Sequence, residues 1–458
     1  MLRVLGLPDE WVSYAWIAGP MSGTLVQPVI GVVSDACTSR WGRRRPFIVL
    51  GAASTAIALL LFAYARQVGA ALFGGDPHQR GGGPLWVALF AFWLLDFSIN
   101  AQTGPLRALL VDVTPRHQLA DANAIFMGLG MGVGKTLGYG LGFLTGTLDP
   151  EHGVKILYTT AAAIVLVTAS VPVCYVHEEP HRRRGRGARA ELLGELGPPS
   201  GASTAQRCTA CCGAAGAAIA KAFRGLAIVP PLVRKTFFVQ FWALVAWFTV
   251  FMYITEWVGH DVNGGDANAA KGTRRRDAFD RGVASAQGGL CGMAALSTLL
   301  AFALPWAMAR FGVRRVWGAS LALMACALGA TPLVGSIAAA CFLIVTLAVS
   351  LAATYVIPWV IATAAAQGRV GTGAAGNDAG LITATFNLSQ CLPEFVMALA
   401  GGPIVKAIGH GKISSVLVTG AVGALAAALG IWRLIPDELP EEEVADDGEE
   451  GLLLSDEL

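Results

Sequence analysis

The feature that most limits what this chain can become is a recurrence of long apolar runs. Eleven windows stand out, at roughly 11–33, 47–65, 85–111, 123–146, 154–176, 236–258, 285–309, 316–334, 337–365, 379–405 and 413–435. A run of about 20 such residues spans the hydrocarbon core of a bilayer as an α-helix. Backbone groups in lipid must satisfy one another, which helices do within a single segment. The expected fold class is therefore all-α, a polytopic membrane protein with about eleven spans. Composition agrees: 54% of residues are hydrophobic and 14% are charged, against about 25% charged in soluble domains. A net charge of +2 supplies no basic field for nucleic acid, which is not an expected partner. The lipid bilayer is. Nine cysteines lie scattered and read as small hydrophobes rather than a disulfide framework. Cys208, Cys211 and Cys212 are a cluster that either binds zinc, carries palmitate or does neither. With no Cys/His pair nearby, no metal or cofactor is expected. No nucleophile–base constellation is visible among the seven histidines, so the chain does not read as an enzyme.

Basic residues set sidedness. The loop "SDACTSRWGRRRPF" (34–47) carries Arg40, Arg43, Arg44 and Arg45, and the segment 177–235 contains "HRRRGRGAR". Both read as cytoplasmic. Residues 259–284 then fall outside although they hold Lys271, Arg274, Arg275, Arg276 and Arg281, a poor fit to the rule. An odd span count with Met1 outside points to a further helix upstream. The stretch "GVVSDACTSRWGRRRPF" is echoed by "AMARFGVRRVWG" (307–318): a helix end, an Arg, an aromatic, a Gly and an Arg pair. Arg/Gly/Ala/Pro/Ser-rich 177–235 separates the copies and has linker composition. The resulting organisation is an N-terminal bundle (1–176), a linker (177–235), a C-terminal bundle (236–435) and an acidic tail (436–458).

Charges inside the windows are the strongest functional signal. In "LLDFSINAQTGPLRALL" (94–110), Asp96 and Arg107 lie within an apolar span. Each charge costs roughly 2.5–3.5 kcal/mol at a helix centre, so such residues mark pathways or partners. At 100° per residue, Asp96, Asn100, Thr103 and Arg107 share one face, with the two charges about 16 Å apart along the axis. Direct pairing within a straight helix is excluded. A carboxylate accepts hydrogen bonds from paired hydroxyls and a guanidinium donates in a fork, which suits a sugar. A carboxyl can also carry a proton between sides. The alternative is a structural lock to other helices. Asn387 lies between Thr383 and Glu394 on another polar face and is either a sugar contact or an interhelix bond. Glu394, Glu256 and Asp280 are further possible site residues. Asp280 with Arg281 reads equally as a gate or an exposed pair. Asp35 with Arg40, Arg43, Arg44 and Arg45 reads as a gating charge relay or an orientation anchor. "GLGMGVGKT" (128–136) fails as a phosphate loop because Leu129 stands where Gly is required. Gly130, Gly134, Gly138, Gly142 and Gly146 recur every four residues and predict a helix-packing seam.

Several stretches together resemble the plant-type sucrose–proton symporters of the glycoside–pentoside–hexuronide group, within the major facilitator superfamily. They are residues 9–48, "FWLLDFSINAQTGPLRALLVD" (92–112), "DANAIF" (121–126), "YITEWVGHDVNGG" (253–265) and "AGLITATFNLSQCLPEF" (379–395). The resemblance implies two helix bundles and a proton-coupled sugar symporter acting by alternating access. It implies Asp96 for proton coupling and substrate, and Arg107 for substrate. Partners would be sucrose or a related glucoside and protons, in a plasma rather than a vacuolar membrane. A facilitator, a different-sugar carrier or a non-transporting sensor are the alternatives. The resemblance implies a further helix ahead of residue 1, with residues 1–10 as the loop that follows it. Four positions depart from the family's pattern: Asp9 for a His, Ala284 for an Arg (or its shift to Arg281), Lys135 for the Asn of a "GN" pair, and Glu394 for the Gln of a "PQ" pair.

Overall fold

A computed structural model describes residues 5, 15, 17–35, 37, 39–76, 82–115, 118–145, 150–176, 229–267, 269, 270, 272–371, 378–409 and 411–436. Asp9, the Cys208–Cys211–Cys212 cluster and residues 437–458 of the acidic tail lie outside them. All regular structure among the described residues is helical. The helices are α1 (Ala18–Asp35), α2 (Arg45–Ala63), α3 (Ala65–Phe73), α4 (Gly82–Val113), α5 (Leu119–Met127), α6 (Gly134–Thr145), α7 (Pro150–Tyr175), α8 (Pro231–Trp257), α9 (Arg274–Phe311), α10 (Val313–Gly329), α11 (Ile337–Thr346), α12 (Ala348–Gly371), α13 (Asp378–Ala407) and α14 (Ser414–Leu434). Wide, π-type turns at Gly128–Val133 and Val258–Val262 join α5 to α6 and extend α8. Such turns carry an extra residue per turn and concentrate at functional sites.

Each of the eleven apolar windows falls on a helix or on a nearly continuous helix pair. Nine helices among the described residues are long and apolar enough to cross a membrane; α1 and the α5–α6 pair supply the other two windows. α9 is the chief departure in length. It begins at Arg274, well before the window at 285, because the Thr273 hydroxyl caps it by accepting from the Arg276 backbone N–H at 3.4 Å. Arg276 and Asp280 then pair one turn apart at 3.1 Å. Much of the basic 259–284 segment is thus polar helix continuing beyond the apolar span.

The helices α1, α2, α4 and α7 pack together, and α8, α10, α13 and α14 form a second set with α9, α11 and α12. The larger core lies in the second set, where Trp247, Trp257 and Trp317 are fully buried. Two smaller patches, around Phe62 and Val87 and around Leu59 and Ala162, serve the first. The sets meet where α1 packs on α13, α5 on α12, and α5, α6 and their wide turn on α9. Lipid tails are as apolar as Leu, so these seams depend on small residues and interhelical hydrogen bonds. Asn123 of α5 donates to the buried Thr363 hydroxyl of α12 at 3.2 Å.

The glycine seam is corrected. Gly130, Gly134 and Gly138 face open space, Gly142 meets Gln287 of α9 and Gly146 lies outside the described residues, whereas a side chain at Gly132 would strike Thr298 of α9. Gly128 and Gly140 also contact α9, against Ala301, Phe302 and Cys291. The segment carries glycines on two opposite faces, and the close packing on α9 falls at Gly132 rather than along the predicted stripe.

Candidate functional site

The polar stripe of α4 meets α1, α12 and α13 along the contact between the two helix sets. Asn100 is the most firmly tied. Its Oδ1 accepts from Gln27 Nε2 at 2.7 Å. Its Nδ2 donates to Ser22 Oγ at 2.6 Å and to the Asp96 backbone oxygen at 3.0 Å. Thr103 instead turns back on its own helix, donating to Ile99 O at 2.7 Å. On the opposite side of α4, Thr55 of α2 donates to the buried Ser98 hydroxyl at 3.0 Å, a polar knot that fixes α4 against α2.

Asp96 of α4 and Glu394 of α13 lie within electrostatic reach of each other. Neither carboxylate has a hydrogen bond or ion pair among the described residues. Asn387 sits on α13 nearby; its Nδ2 donates to Gly23 O of α1 at 3.2 Å and contacts Cys391 Sγ at 3.4 Å. Position 23 admits no side chain, since a Cβ there would overlap the Cys391 sulfur. The glycine thus lets α1 approach α13 closely enough for the Asn387 bond. Glu394 closes over Gly19 in the same way.

The cations face aromatic rings. The Arg107 guanidinium carbon lies 3.7 Å from the Trp359 ring centroid on α12 and 5.5 Å from that of Phe126 on α5. Trp359 is itself held edge-on against Phe386 of α13, with centroids 5.1 Å apart. Lys135 Nζ sits 4.5 Å from the Phe251 ring on α8 and 4.8 Å from the Tyr355 ring on α12. Tyr355 and Trp359 are one turn apart and share a face. Cation–π contacts of this kind contribute up to about 2 kcal/mol each when desolvated. Arg107 and Lys135 belong to the first helix set, and Phe251, Tyr355 and Trp359 to the second.

Asp96, Asn100, Arg107, Asn387 and Glu394 therefore converge along one seam. Glu256 lies in the last turn of α8 beside Tyr253. Asp280 is exposed and held by Arg276, which matches the exposed-pair reading. In the loop between α1 and α2, Arg43 Nη2 and Arg44 Nε reach Asp112 Oδ2 of α4 at 2.7 and 3.3 Å. Arg44, only 4% exposed, also donates to Ser34 Oγ at 2.6 Å. Arg40 is exposed, Arg45 opens α2, and the side chain of Asp35 lies outside the described residues. Sequence reasoning missed Asp112 as the carboxylate of this cluster. It also missed Lys135 as a site residue, although a charge inside an apolar window was the very signal that found Asp96. The rings of Phe251, Tyr355 and Trp359 carried no such signal, because aromatics in apolar helices look like ordinary core.

The profile of the Major Facilitator Superfamily matches residues 10–393. The sucrose transport protein SUT1 of Oryza sativa subsp. japonica is 28% identical over 471 residues, covering 94% of this chain and 82% of that protein. The sucrose transport protein SUC4 of Arabidopsis thaliana is 28% identical over 467 residues, covering 94% and 85%. Among solved structures, a D-xylose–proton symporter superposes with a TM-score of 0.58 at 14% identity, covering 95% of this chain and 91% of that one. The transporter FucP in its outward conformation gives 0.54 at 12% identity, covering 94% and 91%. These relatives are transport proteins rather than enzymes. With its many apolar helices the chain is a multi-pass membrane protein, and it belongs to the Major Facilitator Superfamily.

Proposed function

We propose that this protein is a proton-coupled sugar symporter that moves sucrose or a related glucoside by alternating access. The observation that carries the reading is Asp96: a carboxylate inside a span, without an ion pair among the described residues, beside the amide cluster of Asn100. An ionised carboxylate in such a place is unfavourable unless paired. A proton neutralises it, and a sugar hydroxyl donates to it. Asn100 and Asn387 each offer an acceptor and two donors for further hydroxyls, and the planar fork of Arg107 presents donors in fixed geometry. Proton and sugar then stabilise one another's binding, which is the linkage that coupled transport needs. The likeness to sucrose transport proteins across 94% of the chain supports sucrose as the first sugar to test. The site between two helix sets suits a repeat-interface transporter.

In this reading residues 1–176 and 236–435 are the two bundles, 177–235 is a cytoplasmic linker and 436–458 a cytoplasmic tail. The membrane is the plasma membrane, and the Arg43–Arg44–Asp112 cluster braces the inner end of the first bundle. The test is labelled sucrose uptake into yeast at external pH 5 and pH 7, with and without a protonophore. Uptake is expected to be greater at pH 5 and to collapse with the protonophore. Asp96→Asn is expected to lose accumulation driven by the pH gradient. Undiminished accumulation by that variant would remove Asp96 as the proton carrier.

A further inference from the structure

Arg107 enters the mechanism above as a planar set of donors, and one residue of the other helix set governs where that plane lies. Trp359 of α12 is 1% exposed. Its ring packs among Val229, Val233, Ala362 and Phe386, all buried, and stands at 83° to the Phe386 ring. The indole Nε1–H is buried and has no hydrogen-bond partner among the described residues, so packing rather than a hydrogen bond holds the ring. The Arg107 guanidinium carbon lies 3.7 Å from the centroid of that ring. An edge-on guanidinium at this distance would drive a nitrogen against the ring, so the two planes stack. Phe126 of α5 stands 5.5 Å from the same carbon, which sets the cation against rings from both helix sets. One turn further along α12, Thr363 accepts from Asn123 of α5 at 3.2 Å. That bond keeps α12 against the first set independently of the stack.

We propose that Trp359 is a positioning residue for sugar binding: its ring holds the Arg107 guanidinium flat, so that the donors at the edge of that plane are presented to the sugar. A guanidinium carries all five N–H donors in its own plane, and a ring stacked on its face consumes none of them. An arginine on a flexible stem otherwise loses rotamer freedom when it binds. The ring removes that freedom beforehand, which strengthens binding without a new contact to the sugar. Ring and cation come from different helix sets, so the donors are in place only while α12 lies against the first set. The proposal rests on the symport reading for its ligand.

The experiment compares Trp359→Phe, which keeps a weaker ring face, with Trp359→Leu, which keeps apolar bulk and has no such face. Neither substitution removes a hydrogen bond that the indole makes among the described residues. Sucrose uptake in yeast, corrected for the amount of protein at the membrane, is resolved into KM and maximal rate. The leucine variant is expected to raise KM about tenfold or more with the maximal rate within about threefold of the parent, and the phenylalanine variant to raise KM about threefold. Equal KM values for the two variants, or a fall in maximal rate at the parent's KM, overturn the proposal. If the leucine variant does not fold, the phenylalanine variant decides alone, and the parent's KM in it overturns the proposal. Failure of both to fold assigns the ring to the core and also overturns it. A second measurement needs no sugar: the thermal midpoints in detergent of the parent, Arg107→Lys, the Trp359 variant that folds and the double variant form a cycle. Losses short of additive support the hold of Trp359 on Arg107, and additive losses overturn it. A parent chain without uptake rejects the symport reading, while the midpoints still decide that hold.

Discussion

The turn at Arg40-Trp41-Gly42 and the turn at Arg310-Phe311-Gly312 are two versions of one sequence motif, and their differences are informative. Both pivot on a glycine in the left-handed region, with φ of 105° at Gly42 and 84° at Gly312. That backbone disfavours any side chain, so the glycine is the shared element of the repeat. Two residues further on, each copy has an arginine, and here they diverge. Arg44 is buried and bonded to Asp112 of α4 and Ser34 of α1. Arg314 instead lies over the Trp432 ring of α14, 5.3 Å from its centroid. The repeat has kept the turn while this arginine meets different neighbours, a carboxylate of α4 in one half and a ring of α14 in the other. An anchor can change with the neighbouring helix, whereas a left-handed turn has one suitable residue.

The largest contrast is expected from Asp112→Ala. It strips the carboxylate from Arg43 and from the buried Arg44 and should cost about 3 kcal/mol, read as a fall in the thermal midpoint of the purified chain. A neutral result would mean that the first anchor is as weak as the second. Next come Gly42→Ala and Gly312→Ala. Each forces a Cβ into a left-handed turn at about 1–3 kcal/mol, and the two losses should be alike. A loss at one site only would break the equivalence of the turns. Smallest is Trp432→Ala, where an exposed cation–π contact is worth about 0.5–1 kcal/mol beyond the lost packing. A cost above that of Asp112→Ala would reverse the ranking of the anchors.

The same contrast explains what was legible in the sequence. Spans were legible because bilayer thickness sets their length, and each window fell on a helix. The turn glycines were legible as a repeated pattern. Asp96, Asn100, Arg107, Asn387 and Glu394 announced themselves as polar residues in apolar surroundings, and the fold gathers them on one seam. Partners were hidden wherever they were ordinary in composition. Asp112 stands just past the end of its apolar window, and Asp35 is the carboxylate nearer to the arginines in sequence. Trp359 and Tyr355 looked like core until cations were found against them. The glycine stripe was misassigned because periodicity identifies a face without saying which neighbour that face meets.

The wide turn at Gly128–Val133 holds the last consequence. An α-helix advances about 100° per residue, so one surplus residue in a turn changes the azimuth of everything after it while barely changing its height. Lys135 follows that turn by two positions. Its aim at the rings of Phe251 and Tyr355 is therefore a matter of phase. A one-residue deletion upstream would act less as a shortening than as a rotation, swinging the ammonium around the helix axis by roughly a quarter turn and off both rings. The wide turn works as an angular setting for the helix, adjusted in steps of single residues.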